Sequence, residues 1–416
     1  MLALPTCING RHAQGVSPQS SLRLKPPLLD ALHQTRLTIL QSVPVPSPPS
    51  SPGSLPSSMA APSGTMRAVQ YDRYGGGAQA LKHVEVPIPS PGKGEVLIRM
   101  EATSLNVADW MFQKGAARPV MPRKFPFVSG FDLAGEVVEV GTGVSDFKSG
   151  DKVIAINFPV TFIARSLQEF AYTASSFLVP INGGGLAEYA VASASLTARR
   201  PPEVSAARGA GLPIAAATAL RSLQRAGVSL DPADVTGRKN VLVTAASGGV
   251  GHYAVQLARL GGHHVTATCG ARNLGLVGDL GADEALDYKT PEGAALRSPS
   301  GKKYDVVVHC GTTRIPWSVF QPVLAANGMV LDLTPGFVSV SITILQMATF
   351  SKKRLVPLIV WPKKVDLELL VGMVKQGKLK TVVDSRYPLS KAQDGWAKSM
   401  SGHATGKIIV EIGAAE

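Results

Sequence analysis

The chain has 416 residues, 45% of them hydrophobic and 17% charged, with a formal net charge of +13. At roughly 100–200 residues per domain, that length suggests two domains with additions. No apolar run approaches the ~18 residues of a spanning helix, and Cys7, Cys269 and Cys310 are too few and scattered for a disulfide framework or a cysteine-rich zinc site.

The expectation is therefore a soluble or membrane-peripheral protein of a reducing compartment. Residues 1–65 hold four Lys/Arg and one acid; the remainder holds 38 basic and 28 acidic residues, a charge of +10. Such a body is drawn to polyanions, anionic lipid headgroups or nucleic acid, unless the charge is merely diffuse.

Residues 43–58, VPVPSPPSSPGSLPSS, cannot bury enough surface to fold. With the Arg- and Ser-bearing, acid-poor stretch before them, they read as a plastid-type transit peptide. An ordinary disordered tail, or a start at Met59 or Met66, fits the same composition.

Order is expected from Met66. MRAVQYD reads as a strand and Tyr74–Gly77 as a turn. Gly94–Asn106 and Phe131–Gly141 read as strands, and Asp146–Ile156 as a turn and strand. Short strands with Gly-rich turns indicate a mostly β domain. From about Glu203 the pattern changes. Ala206–Ala226 is helical, Asn240–Ala246 a buried strand, Gly249–Leu260 a helix and His263–Cys269 a strand. A helix follows to Gly281, then the strand Tyr304–Cys310, a helix near Val319–Ala325 and the strand Gly328–Thr334. Leu367–Gln376 is a helix and Gly406–Ile412 a closing strand. Strands alternating with helices mean an α/β fold with a doubly wound parallel sheet.

Ala245-Ala246-Ser247-Gly248-Gly249-Val250-Gly251 lies between a buried strand and an apolar helix. Small residues there let backbone N–H groups approach a pyrophosphate, and the helix N-terminus adds partial positive charge. A Gly-rich turn alone is weak evidence; in this context, with a second βα unit following, it is strong. That second strand ends Thr268-Cys269-Gly270-Ala271-Arg272-Asn273. No acid stands there to hold a ribose 2′-hydroxyl, and Arg272 can pair with a 2′-phosphate, so NADPH is favoured over NADH.

Together with AASGGVGHYAVQLA, the elements LNVADW (Leu105–Trp110), GEVVEVG, GDKV, GGGLAEYA (Gly183–Ala190) and HATGKIIVEI resemble the medium-chain dehydrogenase/reductase superfamily, in its quinone oxidoreductase branch. The resemblance runs from Met66 to the C-terminus. It implies a GroES-like catalytic domain over 66–203, a Rossmann domain over 204–378 and a return segment over 379–416. It also implies an active site in the cleft between the domains, commonly in dimers, reducing α,β-unsaturated carbonyl compounds or quinones. Plastid members sit at the inner envelope membrane, which makes an anionic membrane a more favoured partner than nucleic acid. By the same resemblance Asn106 and Asp109 face the cleft, Asn106 as an amide donor to nicotinamide or substrate oxygen and Asp109 more as a structural group. Thr218 neighbours the nicotinamide, Tyr288 reaches the adenosine phosphate, Cys310-Gly311-Thr312 lie under the adenine ribose, and Lys407 approaches the cofactor.

Zinc relatives use a Cys, a Gly-His-Glu motif and a later Cys or Asp. Here those first positions read Asn106 and Gly130-Phe131-Asp132, and the set of N or S ligands zinc needs is missing. The expectation is hydride transfer without metal to the β-carbon of an enone, carried by positioning and enolate stabilisation. A nucleotide-binding interaction protein with little turnover is the reading from another class. Finally, Phe158–Ile181 interrupts two strands that relatives join almost directly. It reads as a retained intron or gene-model error, or else as a lineage-specific loop.

Overall fold

In a computed structural model, residues 64–116, 118, 124–157, 184–360 and 362–413 are described. Residues 1–63 of the expected leader and the 158–181 insert lie outside them, and β1 begins at Thr65, one residue before the expected start of order.

The N-terminal half contributes β1 (Thr65–Tyr71), β2 (Lys82–Pro87), β3 (Glu95–Leu105), β4 (Phe127–Val128), β5 (Asp132–Val140), β6 (Lys152–Ile156), β7 (Tyr189–Ser193) and β8 (Thr197–Arg199). The middle contributes β9 (Asn240–Thr244), β10 (His264–Cys269), β11 (Glu284–Asp287), β12 (Tyr304–His309), β13 (Leu324–Asp332) and β14 (Arg354–Pro357). The C-terminal segment adds β15 (Val383–Pro388) and β16 (Lys407–Glu411).

β2, β1 and β4 form a small antiparallel sheet. A larger sheet runs β15-β16-β3-β5-β6-β8, with β7 also paired to β3. The chain thus returns to its first half at the end: Ile408 pairs with Leu105 and Val410 with Thr103. The third sheet is parallel throughout, in the order β11-β10-β9-β12-β13-β14. Its central strands read as unbroken apolar runs because both faces are covered; Val241, Leu242, Val243, Val306, Val307 and Val308 are all buried.

One core cluster joins the two halves. Ala102, Ala134 and Ile154 of the antiparallel sheet pack with Ala207, Ala216, Leu220, Tyr253 and Leu257. Small residues on both sides let the helices seat closely on the sheet. A second cluster, around Trp396, Phe131, Leu133 and Ile98, fills the antiparallel half.

Several elements depart from the pattern read in the sequence. The segment Ala206–Ala226 is not one helix: a π-helical turn, Leu212–Ala216, separates Ala206–Ala210 from Ala217–Arg225. The Ile214 N–H donates to Asp132 Oδ1 at 2.8 Å. The helix Trp317–Val323 ends where Pro322 breaks the hydrogen-bond ladder, so Leu324 already belongs to β13. The helices Val107–Lys114, Phe337–Ala348 and Ala392–Met400 lie outside the elements that the sequence pattern predicts.

Candidate active site

In the parallel sheet, β9 lies between β10 and β12, so the chain leaves it in opposite directions. A crevice at the carboxyl ends of such strands is where dinucleotides bind. Three predicted segments meet there. Ala245–Gly251 follows β9, Cys269–Asn273 ends β10, and Cys310–Thr312 follows β12. A Cβ placed on Gly311 would lie 3.9 Å from Ala245 Cβ. Asn273 Nδ2 donates to Ser247 Oγ at 3.0 Å, tying the second turn to the first.

Ala245 turns the chain with a left-handed backbone (φ 47°). A Cβ on Gly251 would sit 2.3 Å from the Ala245 carbonyl oxygen. Only glycine lets the helix Gly251–Leu260 start so close to β9. Gly248, Gly249 and Val250, between them, are only partly buried, which leaves the helix N-terminus available to a diphosphate. The residues present therefore fit a nicotinamide dinucleotide.

Arg272 is exposed, and its guanidinium donates to the His403 carbonyl at 2.7 Å. Tyr288 is half exposed, its ring 3.5 Å from where a Gly270 side chain would begin. Asp287, in register with Cys269 on β11, turns its carboxylate to its own loop and accepts from the Lys289 N–H at 3.0 Å. Cys269 and Cys310 are free thiols, pushed up by burial to about 11 and about 12. Neither is ionised at neutral pH, so both act here as small packed groups. Thr218 sits half-buried in the first turn of Ala217–Arg225.

The Gly-rich turn is gripped from the far end of the chain. The Gly406 N–H donates to the Ser247 carbonyl at 2.8 Å, and Thr405 Oγ1 accepts from Asn273 Nδ2 at 3.2 Å. The Lys407 side chain then runs past Gly249, with its Cδ 3.6 Å from a would-be Cβ there. Its ammonium donates to Asn106 Oδ1 at 2.5 Å and lies 3.6 Å from Asp132 Oδ2. Asp132 also accepts from Ser104 Oγ (2.5 Å) and Asn106 Nδ2 (2.9 Å). Burial holds the Lys407 ammonium below its ordinary value, and the charges of Asp132 and Asp109 oppose that shift.

One expected role changes with this geometry, and the structural reading of Asp109 gains its partners. Asn106 is buried, and its amide nitrogen donates to Asp132 Oδ2 and, at 3.3 Å, to the Ser104 carbonyl. Both its amide protons are thus engaged inside the protein, and as arranged Asn106 does not present a donor to a substrate oxygen. Asp109 is a brace. Its carboxylate accepts from the Asn106 N–H (2.8 Å), Ser129 Oγ (3.1 Å) and the Gly130 N–H (3.1 Å). Burial raises it to about 6 despite these bonds, with the neighbouring Asp132 charge adding to the rise. Lys407 does flank the glycine turn, but its charged end points into the antiparallel half.

A further set of residues has a role that the motif containing them does not reveal. Successive side chains of the helix Gly251–Leu260 clasp the strand-like segment before β15. His252 Nε2 faces the Val382 N–H (3.3 Å), the Tyr253 hydroxyl donates to Thr381 Oγ1 (2.9 Å), and Gln256 exchanges two bonds with the Lys380 backbone (2.9 and 2.8 Å). His252 Nδ1 lies 2.8 Å from the Gly248 carbonyl. Donation there leaves Nε2 as the acceptor for Val382, and burial holds the ring neutral, down at about 3.

Zinc does not fit this centre. Among the described residues no group of three His, Cys, Asp or Glu could hold a metal ion. The space beside Asn106 and Asp132 is already held by the Lys407 ammonium.

Two family descriptions match the chain: an alcohol dehydrogenase GroES-like domain at residues 92–202 and a zinc-binding dehydrogenase at 280–410. The chloroplast envelope quinone oxidoreductase homologue of Arabidopsis thaliana is 58% identical over 348 residues, covering 83% of this chain and 98% of that protein. The chain belongs to the medium-chain dehydrogenase/reductase family.

Within it, this oxidoreductase falls in the quinone oxidoreductase branch. The chloroplastic quinone-oxidoreductase QR1 of Triphysaria versicolor is likewise 58% identical, over 83% of this chain and 98% of its own. The chloroplastic NADPH-dependent alkenal/one oxidoreductase of Arabidopsis thaliana is 30% identical, over 83% of this chain and 79% of its own. Among solved structures, the quinone oxidoreductase from Coxiella burnetii matches with a TM-score of 0.69 and 27% identity, over 84% of this chain and 99% of its own. This dehydrogenase/reductase is thus an α/β protein with a GroES-like domain and a Rossmann-type nucleotide-binding domain.

Proposed function

We propose that this protein is a plastid NADPH-dependent reductase of the C=C bond in α,β-unsaturated carbonyl compounds, working without metal. The observation that carries the cofactor choice is Arg272. It stands exposed at the end of β10, anchored on the His403 carbonyl, in the place where an acid would repel a 2′-phosphate. The relative at 30% identity whose name includes NADPH and alkenal/one supports the same choice.

The bound cofactor supplies a hydride. The protein's own part is positioning, which can supply on the order of 7–11 kcal/mol at best. Ser247–Gly251 would hold the diphosphate, with Cys269, Gly270 and Asn273 shaping the adenosine side and Tyr288 its rim. Cys310, Gly311 and Thr312 would line the ribose, and Thr218 would neighbour the nicotinamide. Lys407 and Asn106 couple that cradle to the catalytic sheet, and Asp109 fixes the loop at Ser129-Gly130. Neither Asn106 nor Asp109 presents a free proton donor in this arrangement, so the proton source is unassigned and water is the candidate in this reading.

Quinone reduction is the second reading, favoured by the names of the 58%-identical relatives. Peripheral contact with the envelope membrane and a homodimeric assembly belong to the same proposal. The test is NADPH oxidation against a panel of alkenals, enones and quinones with product analysis. A saturated carbonyl product supports the first reading and a hydroquinone the second. Cofactor binding without turnover of either class would refute an enzymatic role.

A further inference from the structure

Asp132, the first residue of β5, is fully buried, and donors from three distant parts of the chain converge on its side chain. Oδ2 accepts from Ser104 Oγ (2.5 Å) and Asn106 Nδ2 (2.9 Å), with Lys407 Nζ at 3.6 Å. Oδ1 accepts from the Ile214 N–H at 2.8 Å. A carboxylate out of water is costly unless it is paired and hydrogen-bonded. Here both oxygens are taken, and bonds to a carboxylate are shorter and stronger than those to a neutral amide.

The bond from Ile214 reaches furthest. In a continuous α-helix that N–H would donate to the Ala210 carbonyl. The π-helical turn Leu212–Ala216 sends it to the sheet instead, and Pro213 beside it has no N–H to compete. Single π turns inside α-helices are frequent at functional sites. The start of this turn is held as well. The Tyr253 hydroxyl donates to the Gly211 carbonyl at 3.2 Å, and Tyr253 belongs to the helix that begins at the glycine turn. The π turn is thus pinned to the dinucleotide cradle at Gly211 and to the antiparallel sheet at Ile214.

The helix Ala217–Arg225 follows, with Thr218 in its first turn. Thr218 lies four residues beyond Ile214, about one helical turn, so its position depends on where Asp132 holds Ile214. Packing gives little control of its own there. Ala215, Ala216, Ala217 and Ala219 are all buried, and such small side chains interdigitate weakly.

We propose that Asp132 is a positioning residue for hydride transfer. Through Ile214 it sets the helix that carries Thr218 against the nicotinamide, and through Asn106 and Lys407 it keeps that helix in register with the diphosphate cradle. The inference rests on the reading of the crevice as an NADPH site, and it assigns Asp132 no contact with substrate.

The test starts from Asp132→Asn, which has the same size but one acceptor oxygen where two are used. In the cofactor-free protein, hydrogen exchange over residues 212–220 speeds up. The NADPH dissociation constant from fluorescence titration changes by less than about threefold, because the backbone donors of Ser247–Gly251 are untouched. With saturating NADPH and the preferred acceptor from the panel, kcat falls by about tenfold, or about 100-fold for a displacement near 1 Å. The isotope effect with NADPH deuterated at C4 rises, because the misplaced transfer limits the rate. Lys407→Met/Asp132→Asn has no unpaired buried charge and so separates stability from placement. It recovers thermal midpoint while kcat stays low. Recovery of kcat together with the midpoint overturns the inference and leaves Asp132 a role in the fold alone. So does exchange over 212–220 that is unchanged in Asp132→Asn, or a loss of NADPH affinity with kcat preserved. A wild type that turns over its acceptor normally while Asp132→Asn matches its kcat overturns this inference and spares the functional reading. A wild type that binds no NADPH overturns both.

Discussion

Lys407 Nζ donates to Asn106 Oδ1 across 2.5 Å, joining positions 301 residues apart in the chain. Through this contact the last strand, whose preceding Gly406 holds the Ser247 carbonyl, reaches the buried carboxylate of Asp132. A dinucleotide cradle and a catalytic sheet are thereby fixed to each other by one side chain.

Lys407→Met should therefore be costly. It leaves Asp132 as a buried charge without its cation, and removal of one partner from such a pair costs about 3–5 kcal/mol. Urea denaturation of the purified protein measures this. Lys407→Met/Asp132→Asn should recover part of the loss, because the unpaired charge is gone. No recovery would mean that Lys407 acts by packing alone.

Arg272→Ala should weaken NADPH binding by about 10–100-fold, the worth of a charge-assisted contact with a phosphate. NADH binding should change by less than about threefold on the same argument. Fluorescence titration with both cofactors decides it. Parallel losses for the two would remove Arg272 from the choice between them.

Gly251→Ala should damage both fold and binding. The added Cβ would meet the Ala245 carbonyl oxygen at 2.3 Å, so the helix must withdraw from β9. An overpacked site of this kind costs about 1–3 kcal/mol. Thermal denaturation reads the first effect, and cofactor titration should show the diphosphate cradle lost with it.

Stability should respond to pH through two buried groups of opposite sign. Burial holds the His252 imidazole down at about 3 from 6.5. Its contribution is complete above pH 6.5 and is lost as the pH falls toward 3. Burial raises the Asp109 carboxyl to about 6 from 3.8. Its contribution is complete below pH 3.8 and is lost as the pH rises through 6. Relative to wild type, His252→Gln should thus gain thermal stability on acidification below pH 6.5. Asp109→Asn should gain it as the pH rises from 3.8 to beyond 6. Flat differences across these windows would contradict the burial of the two groups.

Much of this site was legible in the order of residues. The strand–turn–helix around Ala245–Gly251 announces itself because small residues between an apolar strand and an apolar helix serve few other purposes. Arg272 stands out in the sequence because the end of the second strand is where such a fold takes its ribose-contacting residue. The clasp of His252, Tyr253 and Gln256 on 380–382 was not. It is made to backbone groups and one threonine hydroxyl more than 120 residues away, and no local spacing encodes them. The helix Phe337–Ala348 is hidden for the opposite reason: Phe337, Ile344, Leu345 and Met347 are exposed while Ser339 and Gln346 are buried, so its pattern does not follow the rule that marks a core-facing helix.

From its sequence alone, then, this protein has a βαβ nucleotide-binding half, because that feature depends on residue types at short range. Tertiary structure alone decided that Asn106 spends its amide on Asp132, that Asp109 braces the loop at Ser129-Gly130 in particular, and that Lys407 turns away from the crevice. Each of those is a competition among buried polar groups for a limited number of partners, and its outcome depends on which distant strands are brought within hydrogen-bonding distance.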